Sequence, residues 1–442
     1  MLAKYFLILF ALIFPLLTAA TEQNVIIGFH KSIGFLERKL VTSNGGTIQR
    51  ELHLINALVA KVPDTALPLL HADAGVKYIE QDRQLHTPHP LPRPAVETTA
   101  ASVAEYQQNW SIQHIASDTA HSQGITGTGV KIAIIDTGID YNHVELKDNY
   151  RGGYDFVNDD DDPMDDSGPS HGTLAAGIIA AKQNDEGIVG VAPDASLYAL
   201  KVMDSEGSSS ISNIIAALQW AVENDIDIAS ISMGGPDSPA FRQACNAAYD
   251  AGVLIVAAAG NAVPRKPVDY PAAYGSVIAV GATDKQDQPE PYTARGDEVE
   301  LAAPGAVIYS TVRNGRYGTA SGTSQAAPHV TGVAALILSA GVKDLNKDGL
   351  TDNKDVRLAL LMATRDQGEP GRDDLYGYGI IDINGIFTPR PIQLPDLSLT
   401  MRDDRDPVFR GNWFNYLLTV QNDSAVDARD TKLLLTLPPD MV

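Results

Sequence analysis

At 442 residues, 44% of them hydrophobic, the chain is too long for one ordinary domain and too apolar to be wholly disordered. Acidic residues outnumber basic ones 55 to 33, a net charge of −22, which argues against the clustered Lys and Arg that a nucleic acid or an anionic membrane requires. The same excess leaves carboxylates available for hard cations such as calcium.

The first stretch, "MLAKYFLILFALIFPLLTAATEQ", carries one lysine, an apolar run over residues 5–17 and then small residues. That is the layout of a signal peptide over residues 1–20, cut after Ala20, and it predicts a secreted protein. A membrane anchor is the alternative, but the run is short for a span of ~20 residues, and no other stretch is long enough to span. Next, "NVIIGFH", "INALVAKV" and "VKYIEQD" read as strands of a small unit ending near His86. "HTPHPLPRPAVETTAAS" follows as an exposed linker, so residues 21–104 read as a pro-segment or as a permanent binding domain.

From residue 105 to 388 the pattern changes. "VKIAIID", "SLYALKV", "DIDIASIS", "GVLIVAAAGN" and "SVIAVGAT" are nearly continuous apolar runs separated by helical stretches. They predict an α/β domain with a parallel sheet covered on both faces, and a site beyond the carboxyl ends of its strands. The one cysteine, Cys245, lies in the amphipathic "PAFRQACNAAYDAG" and reads as a small core residue, so no internal disulfide is expected. Residues 389–396 read as a proline-rich linker. Residues 397–442 alternate as two or three strands, too few to close a β-sandwich, so an incomplete sandwich-like domain is expected there.

Four residues stand where that site is expected. Asp136 ends the strand "VKIAII" and enters a glycine turn. His171 opens "HGTLAAGIIAA", a helix of small residues, and Asn261 ends "VLIVAAAGN". Ser324 lies in "SGTSQAAPHVTG", where Pro328 is tolerable only in a first helical turn, so the serine belongs at a helix N-terminus. Singly these are a cap, a satisfied polar residue, a turn former and an N-cap. Jointly, in the order Asp, His, Ser, they read as a nucleophile with its base and orienting acid.

"AIIDTGID", "HGT", "SISMGG", "AAAGN" and "GTSQAAPHVTG" resemble the motif series of the subtilisin-like serine proteases (peptidase family S8), over roughly residues 107–388. The resemblance implies a three-layer, parallel-sheet catalytic domain in which Ser324 attacks the scissile carbonyl and His171 moves the proton. Asp136 would orient His171, and Asn261 with the Ser324 N–H would hold the oxyanion. Ser232, Met233 and Gly234 are similar to the strand that pairs with extended substrate, and Ala258 and Gly260 to one wall of the pocket for the residue before the cut. Leu174 and Gln325 stand where relatives often carry histidine and methionine. The loop "AVPRKPVDYP" is short, so no side-chain preference is carried over.

Residues 22–86 resemble this family's inhibitory propeptide, which implies an intramolecular inhibitor removed by self-cleavage between about residues 90 and 106. "DLNKDGLTDNKD" has the spacing of a calcium loop, with Asp344, Asn346, Asp348, the Leu350 carbonyl, Asp352 and Asp355 as ligands, or else is a plain acidic loop before a helix. "DFVNDDDDPMDD" is similar to a calcium loop of some relatives, matching Asp155, Asp160 and Asp162, or else is a solvated loop, and Glu145 with Asn184 resembles a third site of the family, Glu145 standing where aspartate is usual. The expectation is a secreted, calcium-stabilised zymogen of a serine endopeptidase acting on proteins or peptides, with no nucleic-acid partner and no membrane span after signal removal. A catalytically silent scaffold or a surface adhesion protein is the alternative.

Overall fold

Alternating apolar residues build the first of two units into which the chain divides, between Arg83 and Gln84. The structure, a computed structural model, describes residues 21–86, 95–97, 105–262, 266–389, 397–403 and 416–422. The expected signal peptide lies outside them. In the first unit four antiparallel strands stand in the order Thr47–Leu52, Ala57–Pro63, Glu22–Phe29, Val76–Gln81. Val25, Ile27 and Phe29 share a face with Leu58, Ala60 and Val62, as a two-residue period demands, and Val41 and Leu70 from the helices Phe35–Ser43 and Leu67–His71 complete that core.

The second unit centres on nine strands, ordered Thr364–Arg365, Ile380–Ile381, Val299–Pro304, Val277–Thr283, Leu254–Ala258, Ile228–Ile231, Lys131–Asp136, Ser196–Lys201, Tyr150–Asp155. All neighbours are parallel except the first two. Leu254–Ala258 and Val277–Thr283 are buried at every position, as strands covered on both faces must be. The helices His171–Ala180 and Thr323–Ala340 pack together, and so do Ile211–Glu223 and Pro239–Asp250. From Lys131–Asp136 the chain first adds strands on one side and then crosses to Ile228–Ile231 on the other. Asp136 therefore ends the strand at which the winding reverses, where open α/β sheets place their ligands.

Two local readings change. Pro328 is the sixth residue of its helix, not a first-turn residue. Its missing N–H would have served the Ser324 carbonyl, and Ser232 Oγ donates to that oxygen instead at 3.2 Å. The linker is not wholly extended coil either. Ala95–Glu97 pairs antiparallel with Arg316–Ala320, because a sheet edge offers unmet backbone groups to any short extended segment. At the other end, Leu397–Asp403 and Tyr416–Asn422 form an antiparallel hairpin whose Leu399, Met401 and Leu417 are exposed.

Helix His171–Ala180 comes so close to the turn after Asp136 that a side-chain carbon at Gly172 would lie 2.1 Å from the Gly138 carbonyl oxygen. That contact is with backbone and cannot be relieved by a rotamer. Gly172→Ala is expected to lower stability by about 1–3 kcal/mol in urea unfolding and to reduce kcat more than it raises KM.

Candidate active site

Asp136 is 1% and His171 3% exposed, and His171 Nδ1 lies 2.8 and 2.9 Å from the two Asp136 oxygens. Nδ1 must carry the proton in such a bond, which leaves Nε2 as the lone-pair nitrogen of the neutral ring. Nε2 is buried and has no hydrogen-bond partner among the described residues. The pair is stitched from both sides. Asp136 Oδ1 also accepts the Thr137 N–H at 2.7 Å, and Thr137 Oγ1 accepts the Gly172 N–H at 2.9 Å. Lys201, 1% exposed, donates from Nζ to the carbonyls of Thr137 and Met203 and to Asp166, at 2.9, 2.8 and 2.7 Å.

Burial by itself disfavours a charged imidazole. The Asp136 charge and hydrogen bond, with a further contribution from Asp165, outweigh it and hold the His171 pKa above the ordinary 6.5. Asp165 is itself fully buried, accepting from Thr173 N–H and Oγ1 at 3.2 and 2.6 Å and from Ser167. Cys245 is buried and its thiol is pushed up by burial, as a core residue's should be.

Ser324 is the second residue of its helix, 3% exposed, and its Oγ donates to the Ser232 carbonyl at 3.1 Å. With the return bond from Ser232 Oγ, the helix start and the strand extension are tied reciprocally. Asn261 is anchored by Thr323: Oδ1 accepts both the Thr323 N–H and Oγ1–H, at 2.9 and 3.0 Å, while Thr323 Oγ1 accepts the Gly260 N–H at 3.1 Å. The amide oxygen is thereby engaged and Nδ2 is left as a donor. A carbon built on Gly322 would lie 2.9 Å from Gln325 Oε1, 3.3 Å from Asn261 Nδ2 and 3.6 Å from Ser324 N, so two donor nitrogens and the Gln325 amide oxygen border one small volume beside the serine.

Ser232, Met233 and Gly234 continue strand Ile228–Ile231, and Gly260 continues its parallel neighbour, the strand that Ala258 ends. Gln84–His86 pairs antiparallel with Ser208–Ser210, and Leu85 is buried so close to Gly235 that a side-chain carbon there would lie 2.4 Å from Leu85 Cδ2.

Among the described residues no group of three or more His, Cys, Asp or Glu side chains converges as metal ligands. The 344–355 loop is nevertheless wound about its own oxygens: Gly349, at φ 88°, donates to Asp344, Leu350 to Asp348, and Leu345 and Asn346 to Asp355. The loop's carboxylate, amide and carbonyl oxygens are the hard donors that a calcium ion takes. The Lys354 ammonium, 3.0 Å from Asp352 and 4.0 Å from Asp348, is the cation an ion there would displace. Asp155 instead closes a turn, accepting from Val157 and Asn158, while Asp160 accepts from Asp162 and Asp162 from Tyr141. Glu145 accepts from Asn184 Nδ2 at 3.2 Å and also from Tyr317 and Ile188.

Thr137, Asp165, Lys201 and Thr323 go unnoticed in the sequence reading. Only Lys201 has a sequence signal, a lone charge ending the apolar run "SLYALK".

Residues 127–379 match the Subtilase family. The chain is 40% identical to subtilisin E of Bacillus subtilis over 73% of this chain and 81% of that one. It is 35% identical to the alkaline protease of Alkalihalobacillus alcalophilus, covering 82% of this chain and 88% of the relative. The minor extracellular protease Epr of Bacillus subtilis is also 35% identical, over 84% of this chain but only 55% of its own length. The motifs that bring Asp136, His171, Asn261 and Ser324 to one end of the sheet thus lie within a match covering most of the chain, and the chain belongs to the subtilase family as a subtilisin-like serine endopeptidase.

Proposed function

We propose that Ser324 is the nucleophile of a secreted endopeptidase made as a self-processing zymogen. Ser324 Oγ gives up its bond to Ser232, passes its proton to His171 Nε2 and bonds to the scissile carbonyl carbon. Asp136 keeps Nδ1–H oriented and stabilises the imidazolium. Asn261 Nδ2 and the Ser324 N–H hold the oxyanion. Collapse of the tetrahedral species transfers the proton from Nε2 to the departing amine and leaves an acyl-enzyme, which water, deprotonated by the same nitrogen, then hydrolyses. The observation that carries this reading is the buried Asp136–His171 pair whose Nε2 is left without a partner.

The small antiparallel unit ending at Arg83, with Gln84–His86 laid along Ser208–Ser210, supports an inhibitory propeptide whose tail lies as a substrate strand would. Residues 87–94 and 98–104, which include most of the expected cut region, lie outside the described residues. Export rests on the first twenty residues. Among the described residues no helix is long and apolar enough to cross a membrane. A calcium ion held by Asp344, Asn346, Asp348 and the Leu350 carbonyl would neutralise the loop's carboxylates and stabilise the start of helix Asn353–Met362; it takes no part in the chemistry.

Ser324→Ala should stay full length and lose casein hydrolysis by at least ~10⁴-fold, while the parent sheds roughly its first hundred residues by intact mass. Both chains remaining intact and inactive would favour the silent scaffold. Because Nε2 must be unprotonated to act and its pKa is raised, kcat/KM should fall on the acid side with a midpoint above 6.5. Asp165→Asn, which removes a negative charge near the ring, should move that midpoint to lower pH. Chelation by EDTA should lower the Tm of the parent, corresponding to about 2–3 kcal/mol of stability when calcium stands at about 100 times its Kd, and leave that of Asp344→Ala unchanged.

A further inference from the structure

The walls beside the nucleophile are made without side chains at Gly234 and Gly260, and one side chain fills the space between them. A carbon on Gly234 would lie 2.7 Å from Asp269 Cβ, and one on Gly260 would lie 2.5 Å from Asp269 Oδ2. Asp269 is held there by its backbone, since its N–H donates to the Ala259 carbonyl at 3.0 Å. Its neighbour Tyr270 exchanges two hydrogen bonds with Gly235, at 3.0 and 2.8 Å. The residue is therefore pinned to both walls, with its carboxylate directed to the gap between them. Among the described residues that carboxylate accepts no hydrogen bond and forms no ion pair, although the residue is half-buried. Burial raises its pKa, and Lys266 offsets this only in part.

Gly260 directly precedes Asn261. With Gly260 as a wall of the pocket for the residue before the cut, as the family resemblance implies, a substrate whose carbonyl oxygen sits at Asn261 Nδ2 places the side chain of that same residue beside Gly260 and its neighbour Asp269. An apolar side chain there would bury the carboxylate further without a partner, whereas an ammonium or guanidinium would pair with it. We propose that Asp269 determines specificity by selecting a lysine or arginine immediately before the scissile bond. This rests on Ser324 being the nucleophile. Met233, buried at 1% exposure, and the bare glycines carry no charge, and among the described residues Lys266 is the cation that acts on Asp269.

The test is a map of cut sites in casein by mass spectrometry, for the mature parent, Asp269→Asn and Asp269→Glu, with matched peptides carrying Lys or Phe before the cut. The parent should cut mainly after Lys and Arg. Its Lys-to-Phe ratio of kcat/KM should drop roughly 10- to 100-fold in Asp269→Asn and be largely retained in Asp269→Glu. Cuts mainly after apolar residues, or a ratio that Asp269→Asn leaves unmoved, would overturn the proposal while leaving the protease reading intact. If Asp269→Asn does not fold, the parent map and Asp269→Glu still decide. No cuts at all, with Ser324 unlabelled by a fluorophosphonate, would remove the protease reading and this inference together.

Discussion

Everything at this site depends on keeping a carboxylate and an imidazole in contact while both are out of water. An unpaired buried charge is costly, so Asp136 must be met from several directions at once, by His171 and by the Thr137 amide. The structure around it serves that requirement. Lys201 supplies positive charge to the turn, Gly172 lets the histidine helix approach its backbone, and Asp165 adds a second buried charge that biases the imidazole toward its protonated form.

The second constraint concerns a proline. A helix that must begin at Ser324 and carry Pro328 has one carbonyl without its usual donor, and that carbonyl belongs to the serine itself. Ser232 satisfies it and receives the serine hydroxyl in return, so the nucleophile's backbone and side chain are both referenced to the neighbouring strand extension. Thr323 does the same for Asn261. Groups expected to act on a substrate are thus located by contacts between the start of one helix and the extensions of two sheet strands, which is how precision is obtained from loops on a rigid sheet.

The parallel sheet was legible because its strands are buried on both faces and read as unbroken apolar runs, and Asp136 and Asn261 because they end such runs. The helix-borne His171 and Ser324 were legible only as members of a motif series. What escaped is tertiary: Thr137, Asp165 and Thr323 are ordinary polar residues until the chain brings Gly172, Thr173 and Asn261 to them. Asp269 escaped for the same reason, lying in a loop with no periodicity and meeting Gly234 only across the fold. In the 155–166 run the sequence shows the carboxylates but not their partners, and only the fold shows Asp155 accepting from Val157 and Asn158 of its own turn.

The short pairing of Ala95–Glu97 with Arg316–Ala320 makes the position of any chain break matter for the surface left behind. A break before residue 95 keeps that three-residue strap in place as a cover for the sheet margin. A break after residue 97 frees the strap to diffuse away, and strand Arg316–Ala320, carrying Tyr317 against Glu145, would then present raw backbone to solvent and to other molecules. Trimming by a few residues would in this way convert a closed margin into an adhesive one, so the new chain end governs colloidal behaviour.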